Sequence, residues 1–182
     1  IVIQRGTLLG NYDKVMLTGG DREPLGFEPG RNVPVFEAHG IKFAVNICHD
    51  TSFPFPALAA RLHGAELLFT PHYNFLPAAV VDDHRRWVRN CHVGLACQMR
   101  MVVARSNVVV TDRTGVAGYG DSFILSPQGE PLAEARLFRT ELITARITPA
   151  MFRAPTVWGD FKEAPQWLLD ELGQRLPASG KR

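Results

Sequence analysis

The stretch Ile41-Lys42-Phe43-Ala44-Val45-Asn46-Ile47-Cys48-His49-Asp50 decides how this chain folds. Its apolar residues Ile41, Phe43, Ala44, Val45 and Ile47 form a near-continuous run, which reads as a strand over residues 41–47 buried on both faces. The run stops at Cys48, after which Pro54 and Pro56 open a helix over residues 57–63 that ends at Gly64. A second buried strand follows over residues 66–70. Strands alternating with helices make a layered α/β domain. Cys48 then stands at the carboxyl end of a buried strand, where open α/β sheets place their ligands. A backbone N–H just past such a turn can point at a developing oxyanion.

Working outward, residues 81–99 carry Trp87, Val88, Val93, Leu95 and Ala96 close to helical spacing. Residues 101–110 and 121–125 read as strands, Ser126-Pro127-Gln128-Gly129 as a turn, and residues 141–147 as the last strand. On the other side, the first forty residues read as short strands and loops: an apolar run at 1–3, a turn at Gly10-Asn11, and a further run at 12–17. The Gly- and Pro-rich loop over 19–34 is long enough to suggest a working role. Residues 1–150 are expected to form one domain. Residues 151–182 form a tail with a short amphipathic helix over 163–172, and its Trp158, Phe161 and Trp167 are too many aromatics for a free end. Docking on a partner subunit is the expectation, as a homodimer or higher homo-oligomer. The chain opens on Ile1-Val2-Ile3, without Met and already inside a strand-like run, which reads as the start of a fragment.

Composition excludes several classes. The 182 residues, 46% hydrophobic, suffice for one buried core. The formal charge of +2 comes from scattered basic residues, with no stripe of the kind a nucleic-acid binder shows. No apolar run is long enough for a bilayer, and the start has no signal-peptide pattern. Three cysteines, an odd number without repeated spacing, suggest reduced thiols and a cytoplasmic setting. Cys48-His49, His72, His84, Cys91-His92 and Cys97 match no zinc spacing. Cys91 and Cys97 stand about 240° apart around one helix, so no metal is expected, nor any cofactor.

The chemistry-bearing residues fall in three ordered segments: Gly10-Asn11-Tyr12-Asp13-Lys14-Val15-Met16-Leu17, then Glu23-Pro24-Leu25-Gly26-Phe27-Glu28-Pro29-Gly30, then the Cys48 elbow running on to Phe53-Pro54. Gly64-Ala65-Glu66-Leu67-Leu68-Phe69-Thr70-Pro71, Ala104-Arg105-Ser106-Asn107 and Gly120-Asp121-Ser122 follow downstream. In this order and at these intervals they resemble the nitrilase superfamily, the carbon–nitrogen hydrolases. The family shows Tyr-x-Lys-x-x-Leu, then Glu followed by Phe-x-x-Gly, then Ile-Cys-x-Asp. Each motif alone is weak, and the ordered set over residues 6–147 is specific.

The resemblance implies a four-layer α-β-β-α sandwich, here missing its first strand–helix units, and hydrolysis of a small amide through an acyl-enzyme that releases ammonia. It implies that Cys48 is the nucleophile, that Lys14 stabilises the oxyanion, and that Glu23 lies against the lysine and the substrate. The His49 amide would complete the oxyanion hole, and His72, Tyr73 and Asn74, directly after a strand, would share the rim with Cys48 and touch substrate. The physical demands agree: a free thiol with a pKa of ~8.5 is only a few per cent thiolate at neutral pH, so it needs a neighbouring cation or base. An ammonium beside an oxyanion counts most where water is excluded.

Departures from the family pattern bear on activity and specificity. The family's general base is a glutamate on a strand ahead of the Lys14 segment, and no residue here matches it. The chain as it stands is therefore expected to be inactive and poorly stable. Thr51-Ser52 replace the Arg of many amidase-like relatives, and His49-Asp50 replace the Trp-Glu of true nitrilases, so a small neutral amide is expected over a nitrile or an N-carbamoyl amino acid. Bland readings stand beside these. A strand-end cysteine is commonly a core thiol, a lone lysine a solvated one, and Glu23 ahead of Pro24 an ordinary loop residue. A non-catalytic relative that has lost its base is the alternative reading, and a Cys48–His72 thiol hydrolase a third.

Overall fold

A computed structural model describes residues 1–111, 115–152 and 164–175. The chain runs through β1 (Val2–Gln4), β2 (Thr7–Gly10), α1 (Gly19–Arg22), β3 (Phe36–Ala38), β4 (Ile41–Val45) and α2 (Pro54–Leu62). It continues through β5 (Leu67–His72), β6 (Phe75–Pro77), α3 (Val81–Met99), β7 (Val102–Asn107), β8 (Val109–Thr111) and β9 (Val116–Tyr119). β10 (Phe123–Leu125), β11 (Pro131–Glu134) and, in a separate unit, α4 (Gln166–Arg175) complete it.

Six strands form the main sheet in the order β11-β10-β7-β5-β4-β3. Its centre is parallel: Phe43 pairs with Leu67 and Phe69 with Ala104, and the outer strands join antiparallel. α2 and α3 are the crossovers that parallel neighbours require. One sheet face, with Ala44, Leu68, Val103 and Phe123, packs on Ala57 and Ala60 of α2 and Leu95 and Ala96 of α3. Alanines on both sides let helix and sheet approach closely. Leu68 is fully buried in this cluster, where truncation to Ala costs about 2–5 kcal/mol. The opposite face carries Ile41, Phe43 and Val45, half-buried, and Phe69, 41% exposed. A hairpin, β1-β2, and a three-stranded sheet, β6-β9-β8, stand apart.

The helix expected over 81–99 has those bounds, and the strands expected over 41–47 and 66–70 occur with edges moved by one or two residues. The first hairpin turns at Arg5-Gly6 rather than at Gly10-Asn11. Residues 12–17 form no strand, for a reason that lies in the site below. Residues 141–147 keep the alternation of a strand, with Leu142 92% exposed, but join no sheet among the described residues. Glu141 instead folds back on Arg136, accepting from its amide N at 2.7 Å and from its Nε at 2.6 Å. Trp158 and Phe161 lie outside the described residues, and Trp167 is exposed on α4.

Candidate active site

Past β4 the chain continues in ladder geometry for one residue, with Asn46 N donating to Phe69 O at 2.9 Å, and then turns sharply. Cys48 takes φ +49°, a left-handed conformation that a side-chain-bearing residue rarely adopts and that costs on the order of 1 kcal/mol. A 3₁₀ turn over Cys48–Ser52 holds it there. Asp50 reaches back to accept from Ile47 N at 2.7 Å, and the Thr51 hydroxyl donates to the Cys48 carbonyl at 2.8 Å. The His49 amide falls in the first turn, where N–H groups have no intrahelical acceptor.

Asp50 also explains why residues 12–17 are not a strand. Its carboxylate is fully buried; one oxygen accepts from Val15 N at 3.1 Å and Met16 N at 2.7 Å, and the other from Tyr12 Oη at 2.7 Å as well as from Ile47 N. The backbone donors that a sheet would need are thus committed to a carboxylate. Burial, then the Asp50 charge, raises the Tyr12 phenol above its ordinary value and keeps it a donor. This clamp fixes the Lys14 segment beside the Cys48 turn.

Lys14 meets Asp21, not Glu23. Its Nζ lies 2.5 Å from Asp21 Oδ2, which also accepts from Thr18 N at 2.8 Å, while Asp21 N donates to Thr18 Oγ1 at 3.2 Å. The pair is the capping box of α1, which turns Asp21 inward. Burial acts to raise the Asp21 carboxyl, but its bonds to Lys14 and Thr18 prevail and hold it down at about 2. Glu23 caps the other end of α1 through its backbone N–H on Gly19 O at 2.8 Å, and its side chain is exposed. The Lys14 contact expected of Glu23 is made instead by Asp21, two residues earlier and about half a turn away around α1. Gly30 shows why a glycine ends the second segment. Its N donates to Lys14 O at 2.8 Å, and a Cβ there would lie 2.2 Å from Asp13 O.

Cys48 borders two cavities. The larger, about 860 Å³, is lined by Lys14, Asp21, Phe27, Glu28, Cys48 and His72, among others. The smaller, about 370 Å³, lies on the α3 side with His49, Ser52, Asn74 and Trp87. His72 and Tyr73 line both cavities. Asn74 Nδ2 lies 3.8 Å from Cys48 Sγ, and the His49 ring lies 3.3 Å from Ser52 Oγ and edge-on to Phe53. Of the seven residues singled out from the sequence, six border these cavities and Glu23 does not.

Residues 1–154 match the family model for carbon-nitrogen hydrolases. The chain belongs to this family. It is 31% identical over 177 residues to an N-carbamoylputrescine amidase of Arabidopsis thaliana, covering 90% of this chain and 58% of that enzyme. It is 29% identical to a citrullinase of Francisella tularensis, covering 92% of this chain and 61% of the citrullinase. Among solved structures, an amidase variant from Nesterenkonia sp. AN1 superposes with TM-score 0.61 at 27% identity, over 72% of this chain and 48% of that one. There the acetamide moiety of fluoroacetamide is covalently added at the active site cysteine. The fold is therefore of the nitrilase type, and the chain spans about half to three-fifths of the length of these relatives. No described helix is long and apolar enough to cross a membrane.

Sequence reasoning missed what lies beneath the site of this family member. His92 Nδ1 donates to Val88 O at 2.8 Å, so its Nε2 accepts, 3.2 Å from His72 Nε2. Burial, then the Arg105 charge and His92, pushes His72 down to about 2; burial, then Arg105 and Arg89, outweighs the Val88 bond and pushes His92 to about 3. Both rings stay neutral. With Nε2–H donated to His92, the free lone pair of His72 is on Nδ1, and burial with the Arg105 charge makes that nitrogen a poor base for Cys48, which counts against the third reading. At the start of α3, Arg86 pairs with exposed Asp83 at 3.8 Å, while Arg85 turns inward to Asp121 at 3.9 Å. Asn107 binds Asn74 N through its Oδ1 at 2.9 Å and Gly120 O through its Nδ2 at 2.8 Å, tying the downstream motifs to the rim. No cluster of three or more His, Cys, Asp or Glu able to hold a metal ion occurs among the described residues.

Proposed function

We propose that the protein hydrolyses the carbon–nitrogen bond of a small neutral amide through a Cys48 acyl-enzyme, releasing ammonia. The observation that carries this reading is the left-handed turn at Cys48, held by Asp50, which the same carboxylate ties to the Lys14 segment. Strained backbone at a cavity edge is what a pre-positioned nucleophile requires. The Cys48 thiolate attacks the carbonyl carbon, forming a C–S bond and moving the π electrons onto oxygen. The Lys14 ammonium and the His49 N–H stabilise that charge, and Asp21 keeps the ammonium oriented. The intermediate collapses with cleavage of C–N; the nitrogen takes up a proton and leaves as ammonia. Water then hydrolyses the thioester and regenerates the thiol. The reading assigns the first thiol proton to the glutamate that precedes the Lys14 segment in family members. His72, Tyr73 and Asn74 contact the substrate from the shared rim.

A second substrate reading, an N-carbamoyl amine, is favoured by the names of the Arabidopsis and Francisella relatives. Thr51 and Ser52 offer hydroxyls rather than a cation, which favours neutral substrates in either case. The unpaired thiols support a reducing, cytoplasmic setting, and exposed Trp167, Leu169 and Leu172 on α4 support packing on a second copy. A panel of amides, nitriles, N-carbamoyl amines and N-carbamoyl amino acids with matched side chains, assayed with the full-length protein, tests the reading. Fastest ammonia release from amides supports it. Ammonia with carbon dioxide from the carbamoyl amines selects the second reading, faster nitrile turnover overturns both, and no turnover leaves a non-catalytic relative.

A further inference from the structure

Arg105 is 2% exposed on β7, a guanidinium that follows the apolar residues Val102, Val103 and Ala104. Burial pushes it below its ordinary value, yet an arginine remains charged. Such a charge is costly unless a counter-charge answers it. The Asp121 charge acts on Arg105, but its carboxylate pairs directly with other cations, Arg89 at 3.1 Å and Arg85 at 3.9 Å, and no carboxylate oxygen bonds the Arg105 guanidinium among the described residues. Arg105 instead donates to backbone carbonyls, Gly120 O at 3.0 Å and Asp121 O, and to neutral side chains, Tyr119 Oη at 3.2 Å and Asn74 Oδ1 at 2.9 Å. His72, His84 and His92, the titratable rings on β5 and α3 around it, are all pushed down by burial and by this charge, so they add no second cation.

The arrangement fixes which way the Asn74 amide points. Arg105 has only donors, and Tyr119 Oη also donates to Asn74 Oδ1 at 3.3 Å, so the oxygen faces inward. The Nδ2 hydrogens then face Cys48 Sγ at 3.8 Å. An N–H donor strengthens its bond to sulfur when the thiol becomes a thiolate. We propose that Arg105 is a positioning residue whose buried charge, acting through Asn74, favours the Cys48 thiolate, the anion the reaction needs, because the nearby Asp121 carboxylate is already shared by two other arginines. Lys14 lies in the cavity on the other side of Cys48, its charge already shared with Asp21. The thiolate is thus held between a cation it sees through an amide and the oxyanion site. This inference rests on Cys48 being the nucleophile, but it concerns the state of the thiol rather than turnover.

The test is the pH dependence of Cys48 alkylation by iodoacetamide, read by peptide mass spectrometry in the full-length protein. Arg105→Met, which keeps length and removes charge, should move the profile upward by about one pH unit and slow alkylation at neutral pH about tenfold. Arg105→Lys should fall between it and the parent. A folded Arg105→Met protein with the parent profile overturns the proposal. Should that variant not fold, near-isosteric Asn74→Asp gives Arg105 a carboxylate and removes the donor from the sulfur, and must shift the profile the same way; an unchanged profile there overturns it equally. Amide turnover by Cys48→Ala would remove the proposed function on separate evidence.

Discussion

Replacing Asp50 by Asn tests whether one carboxylate assembles the site. Asparagine matches the shape but offers one oxygen where the carboxylate has two. Val15 N and Met16 N can keep the oxygen, at 3.1 and 2.7 Å in the parent. The amide nitrogen then faces Ile47 N–H and Tyr12 Oη, which donate at 2.7 Å each. The tyrosine hydroxyl can rotate and accept; the Ile47 N–H cannot, and an orphaned buried donor costs about 1–3 kcal/mol. Loss of charge weakens the two retained bonds by roughly 1 kcal/mol in total, since bonds to charged groups exceed neutral ones by about that much. The expected loss is about 2–4 kcal/mol, measured by urea denaturation of the full-length protein. Tyr12→Phe, which removes one of the four donors, should lose about 1.5–3 kcal/mol. Iodoacetamide labelling of Cys48 should slow in Asp50→Asn as the turn loosens. An Asp50→Asn protein within 0.5 kcal/mol of the parent (about the spread of neutral surface changes) would refute the clamp.

Lys14→Ala should lower amide turnover by ~10²–10³, the usual effect of removing one oxyanion donor, in a protein that still folds; wild-type turnover would remove Lys14 from the mechanism. Acid stability reports on the His72–His92 pair. Their folded values, about 2 and about 3, lie below the ordinary histidine value of 6.5. Below that pH the unfolded chain takes up protons the folded one does not, so stability is intact above about 6.5 and falls with acidification toward 3. This pair contributes a slope approaching ~2.7 kcal/mol per pH unit, on top of what the likewise depressed His84 adds, and His92→Gln should remove about half of the pair's share. A flat profile between pH 6.5 and 4.5, a window above the Asp21 titration, would contradict neutral burial of the rings.

Local patterns made much of this fold legible. The long helix announced itself by spacing from Val81 to Met99, and the buried strands by near-continuous apolar runs ahead of Cys48 and Pro71. The ordered Lys, Glu and Cys segments led to residues that border the same cavities, Glu23 excepted. What stayed hidden depends on contacts distant in sequence. Residues 12–17 look strand-like, but Asp50, 35 residues beyond Val15, takes their N–H groups. Asp21 and Glu23 are both near Lys14 in sequence, and only the capping box with Thr18 decides which turns inward. Arg105 visibly ends the apolar run of β7, yet its tie to Asn74 spans 31 residues and requires the β5–β7 pairing. Residues 141–147 show that alternation alone does not supply a sheet partner.

The central claim is that Cys48 carries the acyl group. Mixing the full-length protein with a slowly turned-over amide, quenching in acid, and mapping the peptides by mass spectrometry tests it directly. The account predicts an acyl adduct on the Cys48 peptide that forms and decays at the rate of ammonia release and is absent from the Cys91 and Cys97 peptides. Ammonia release that continues unchanged in Cys48→Ala, or an adduct that maps to another residue, would contradict it.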